Sequence, residues 1–182
     1  MAIRNTTNIT KPTLTGQVPP NWKGTVIARI KKAEFAPSKS SGLPQLTWSC
    51  EIVNPLEVLS DYDNNKYSLD SKEFKIYLSL SEVKKDGSPS DALNFLINEL
   101  HPLLGLKPEI DDENPDVAQY EGICFQVLME SVQRKEQRKK PDGTYEAVKD
   151  ADGNEILKGW EWNMVSARNI LKKATTTPGR SF

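Results

Sequence analysis

Five stretches of this chain alternate apolar with polar residues, and one amphipathic helical stretch sits between the third and the fourth. A period of two gives a strand one face for the core and one for solvent or ligand. The order three strands, one helix, two strands confines the chain to a mainly β fold. In residues 24–36, Val26, Ala28 and Ile30 share one face, while Ile27, Arg29 and Lys31 share the other. The pattern weakens at Lys31 and Lys32, where a bulge would curl the strand. Residues 36–44 are a turn cluster of Pro, Ser and Gly. Residues 45–53 then alternate cleanly, with Leu46, Trp48, Cys50 and Ile52 opposite Gln45, Thr47, Ser49 and Glu51.

The polar residues 54–70 read as an irregular connection. In residues 72–80, Phe74, Ile76, Leu78 and Leu80 form an inner set, and Lys75, Tyr77 and Ser79 an outer one. Ser90 is a good helix start, and Leu93, Leu96, Ile97, Leu100 and Leu104 recur at helical spacing. Pro102 and Gly105 end that helix. Ile123, Phe125, Val127 and Met129 mark the inner face of a fourth strand, and residues 160–167 read as a fifth. Trp160 and Trp162 share a face of that last strand, either closing the core or forming an exposed aromatic surface. Residues 1–21 read as a flexible arm, 22–172 as one folded domain and 173–182 as a flexible tail.

This order is that of a five-stranded OB-fold barrel, with one capping helix between strands three and four and a long basic β-hairpin between strands four and five. Such barrels bind single strands in a groove across strands two and three, flanked by the loops joining strands one to two and four to five. Binding needs cations for phosphates and flat side chains for bases. The expected cations are Arg29 and Lys31 on strand one, Lys39 in the first loop, Lys75 on strand three, and Arg134, Lys135, Arg138, Lys139 and Lys140 in the hairpin. Tyr77 is the first candidate stacking residue and Tyr145 the second.

Other functions find little support. His101 is the only histidine, expected at the surface or the helix end, with no oriented nucleophile beside it. No phosphate loop, dinucleotide fingerprint or hydrolase motif occurs, so an enzyme is not expected, nor a cofactor or a metal. Cys50 and Cys124 read as buried, reduced thiols. No run approaches about eighteen apolar residues, and residues 1–18 lack a secretory apolar core, so a cytoplasmic protein off the membrane is expected. Net charge is −1, but residues 109–121 carry acids only, whereas residues 134–140 carry five cations against Glu136.

Residues 24–53 resemble the opening hairpin of phage-encoded OB-fold single-stranded DNA-binding proteins, through Lys39, Ser41, Gly42, Pro44 and Leu46. The resemblance implies a phage replication or recombination accessory that coats single-stranded DNA in the cytoplasm of an infected bacterium. It also implies self-association and contacts with phage or host replication proteins. Phe182 ends the chain as in that family, but the acidic residues usual before it are replaced by residues 175–181, TTTPGRS. The alternative is a phage structural or assembly protein that uses the barrel as a protein-interaction scaffold.

Overall fold

The computed structural model describes residues 11–175. The chain is mainly β. Its strands, in order, are β1 (Lys23–Pro37), β2 (Pro44–Asn54), β3 (Glu57–Ser60), β4 (Asn65–Ser68), β5 (Glu73–Ser79), β6 (Cys124–Lys135), β7 (Gln137–Lys139), β8 (Tyr145–Ala147), β9 (Leu157–Trp162) and β10 (Ile170–Ala174). One helix, α1, runs through Ala92–Phe95, Leu96–Leu100 and His101–Leu103. Among the described residues, no helix is long and apolar enough to cross a membrane.

The chain divides into two compact units. The larger holds Gly24–Leu56, Asp70–Met129 and the described residues from Met164 onward. The smaller holds the described residues up to Lys23, Glu57–Leu69 and Glu130–Asn163.

In the larger unit the strands lie in the order β10-β6-β1-β2-β5. The expected closed barrel is not formed: β5 and β10 stay unjoined edges among the described residues. The expected bulge is present, because the β1–β2 register slips between Ile30 and Lys32. Alternation works as the pattern requires. Leu46, Trp48, Cys50 and Ile52 on β2 and Ile76 and Leu78 on β5 are buried, against Ile30 on β1 and Phe125 and Val127 on β6. Burial pushes the Cys50 thiol up to about 12, and Cys50 and Cys124 both sit in the core as thiols.

Leu93, Leu96, Leu100 and Leu104 turn one stripe of α1 inward. The wide turn at Leu96–Leu100 lies just before Pro102, which lacks an N–H and whose ring would crowd the preceding carbonyls of a regular helix. Gly105, at φ +74°, closes the helix. Its N–H donates to the Pro102 carbonyl at 3.0 Å, and the Leu106 N–H donates to the His101 carbonyl at 2.8 Å.

His101 is fully buried rather than at the surface. Its Nδ1 faces the Lys107 carbonyl at 2.8 Å, so that nitrogen must donate. Its Nε2 then accepts from the Tyr120 hydroxyl at 2.8 Å. Tyr120 closes the short turn Val117–Tyr120 and stands 5.0 Å from the Trp48 ring. The acidic segment is therefore pinned at its end by a core tyrosine, whose hydroxyl is held well above the ordinary phenol range by burial.

Of residues 160–167, expected as the last strand, only 160–162 are strand, at the end of β9, which pairs with β6. Chain from Ala167 to Asn169 turns in a capping box on Ser166, and β10 follows, pairing with β6. Arg168 fastens that turn, donating to Asp91 at 2.7 Å and lying 4.2 Å over the Phe95 ring.

In the smaller unit, residues 54–70 are not irregular: β3 and β4 form a hairpin. Part of the expected arm docks on it, with Leu14 bridging to Tyr67. Residues 1–10 and 176–182, the rest of the arm and most of the expected tail, lie outside the described residues. The far end of β6 pairs with β9, and β7 pairs with β8. Glu136 donates to Ile156, Ile156 to Val148 and Val148 to Glu136, a ring of backbone bonds of 2.8–2.9 Å at the ribbon's waist. Trp162 meets Trp22 edge-on at 5.7 Å, and Trp160 meets Tyr62 at 5.7 Å. Both tryptophans are half-buried, so they neither close the main core nor stand bare.

Candidate nucleic-acid interface

The outer face of β1, β2 and β5 is read from register. Glu34 lies opposite Thr47, and Thr47 opposite Tyr77. One row along, Lys32 lies opposite Ser49, and Ser49 opposite Lys75. Each of these residues alternates with a core residue, so the face follows from the pattern that made the strands.

Over this face lies an open groove of about 620 Å³ lined by Glu34, Lys39, Gln45, Thr47, Lys75 and Tyr77, among others. Tyr77 is 51% exposed on the edge strand and lines the groove, where its ring is accessible to a ligand. One wall is the β1–β2 turn. Gly42 supplies its positive φ of 72°, which a residue with a Cβ resists. The Gly42 N–H donates to the Ser38 carbonyl at 2.7 Å. Lys85 braces the turn from outside, donating to the Ser40 carbonyl at 2.9 Å.

The expected cations divide sharply. Lys39 and Lys75 line the groove and form no direct ion pair among the described residues, although the Lys75 charge adds to that of Lys32 in holding the Glu34 carboxyl low. Arg29 and Lys31 do not line it. Arg29 hydrogen-bonds Glu51 through Nε at 3.0 Å, and Lys31 bonds Glu73. That bond holds the Glu73 carboxyl below the usual carboxylate range. Two cations and two carboxylates thus neutralise one another at the end of the face away from the turn. Lys32 donates to Glu34 at 2.6 Å, and this bond likewise holds the Glu34 carboxyl low.

The ribbon tells a different story from its sequence. Arg138 and Lys140 both reach Glu146, at 2.6 and 3.5 Å. Lys135 pairs with Glu155 at 2.6 Å, Arg134 with Glu161 at 3.9 Å and Lys158 with Glu136 at 3.3 Å. Lys139 has no such partner among the described residues. From residue 133 to residue 162 the cations Arg134, Lys135, Arg138, Lys139, Lys140, Lys149 and Lys158 are matched by Glu136, Asp142, Glu146, Asp150, Asp152, Glu155 and Glu161. The ribbon is neutral as a whole. Tyr145 is 63% exposed on β8.

No family model matches this chain, and no curated protein does.

The groove also holds residues that sequence reading did not single out for it: Glu34, Gln45 and Thr47. Alternation put Gln45 and Thr47 on the outer face of β2. Glu34 was hidden, because the bulge at Lys31 shifts the phase of β1 beyond that point. None of the four tryptophans lines the groove; Trp48 is buried on the opposite face of β2.

Proposed function

We propose that this protein is a non-enzymatic, sequence-tolerant single-stranded DNA-binding protein acting in phage replication or recombination. The reading rests on one observation: an open groove on an edge of the sheet that combines the exposed ring of Tyr77 with the unpaired cations Lys39 and Lys75. A base stacks on Tyr77, an interaction worth about 1–3 kcal/mol, while the lysines neutralise flanking phosphates. The strand order β10-β6-β1-β2-β5, with α1 between β5 and β6, supports an OB-type barrel left open between its third and fifth strands.

The test is fluorescence anisotropy of a labelled mixed-sequence single strand, at low and at moderate salt. An extrinsic label is needed because the tryptophans lie off the groove. Two phosphate contacts give a slope of log affinity against log salt of about −1.4, at roughly 0.7 per phosphate. Absence of binding at low salt overturns the reading.

The neutral ribbon favours a second reading, a phage structural or assembly protein presenting that ribbon to protein neighbours. Binding to another protein through the ribbon would then resist salt.

A further inference from the structure

Of the polar groups lining the groove, Gln45 and Thr47 both donate and accept, so they suit any base edge. Glu34 is different. It is the one carboxylate in the lining, and an ionised carboxylate only accepts. Lys32 holds its Oε1 at 2.6 Å, and its Oε2 has no hydrogen-bond partner among the described residues. Glu34 lies two strand spacings from Tyr77 on one row, roughly 10 Å between backbones. A base stacked on Tyr77 and extending along that row over Thr47 would bring its outer edge to the Glu34 side of the groove.

We infer that Glu34 makes the groove select bases with an exocyclic amino group, cytosine above thymine. This rests on the single-strand reading above. Cytosine offers its N4 amino group to Oε2, whereas thymine presents O4, an acceptor facing an acceptor. Both are pyrimidines on the same ring, so stacking on Tyr77 differs little between them.

The test is competition of unlabelled oligo-dC and oligo-dT of equal length against a labelled mixed-sequence strand, at low salt and slightly alkaline pH, where cytosine stays neutral. The expected result is a preference for oligo-dC of about three- to tenfold, the worth of one exposed hydrogen bond. Glu34→Gln, whose amide turns to suit either base, and Glu34→Ala both bring the ratio to about one. Both also bind all strands somewhat more tightly, since a negative charge has left the groove, but the ratio is independent of that gain. Equal binding of both oligomers by the unaltered protein overturns the inference and leaves the single-strand reading standing. A preference that survives in both variants removes Glu34 from it. Failure of every strand to bind overturns the underlying reading as well.

Discussion

The outer face of β1, β2 and β5 and the ribbon from residue 133 to residue 162 both display lysine, arginine and tyrosine, yet they are built on different foundations. Beneath the sheet face lies the core: Leu46, Trp48, Ile76 and Leu78 are all at most 5% exposed. In the ribbon no residue from Val132 to Met164 is buried. The ribbon pairs five of its seven cations with its own carboxylates and offsets Lys139 and Lys149 with Asp142, Asp150 and Asp152, so it carries no net charge, whereas the groove lining sets Lys39 and Lys75 against Glu34 alone. A count of basic residues is therefore a poor guide to where a polyanion is held. What matters is charge left over after local pairing.

The sharpest test of this contrast is amide hydrogen exchange. Amides of β2 and β5 should exchange at least about a thousandfold more slowly than those of β7 and β8. Core strands open only with the whole fold, at about 5 kcal/mol or more, and coreless ribbons open locally. Equal protection would mean that the ribbon is braced by something other than its own backbone bonds.

Next in size is a pair of truncations followed by denaturant unfolding. Trp48→Ala should cost about 3–5 kcal/mol, as large core aromatics do, and Tyr145→Ala should stay within about 0.5 kcal/mol. In binding, Tyr77→Ala should lose about 1–3 kcal/mol of single-strand affinity with little change in melting temperature. Tyr145→Ala in the same assay marks the ribbon's share. A larger loss from Tyr145 than from Tyr77 would transfer the stacking site to the ribbon.

Smaller still is the effect of Lys39→Gln with Lys75→Gln, which should make the salt slope shallower by about 1.4, at roughly 0.7 for each phosphate released. Least is the effect of removing three ribbon ion pairs together, by changing Arg134, Lys135, Arg138, Glu146, Glu155 and Glu161 to Gln. Net charge is preserved, and strand affinity and salt slope should both stay unchanged within about twofold. A clear loss would restore the ribbon cations to the binding mechanism.

Much of this contrast was legible in the sequence on the sheet side. The alternation of β2 and β5 put Tyr77 and Lys75 on the outer face, and the Ser and Gly run announced the turn that carries Lys39. The weakened pattern at Lys31 marked the bulge. Less could be read where patterns are short or broken. β3 and β4 are four residues each, too brief for a period of two to stand out. β10 buries only Ile170 and carries two lysines, so no strand stands out there, and its last two residues read as tail. His101 follows the helical stripe poorly, yet it is sealed by Tyr120 from a segment whose composition suggests only solvent.

The sequence by itself determined the long strands β1, β2, β5 and the core end of β6, their two faces and the helix, because side-chain direction repeats every two or about 3.6 residues and depends on neighbours in the chain. The tertiary structure decided that the sheet stays open, that Arg29, Lys31 and five ribbon cations are paired with carboxylates, and that Glu34 joins Tyr77 in one row. Those outcomes depend on register between strands distant in sequence. A one-residue slip, such as the bulge in β1, exchanges which charges meet and which remain free.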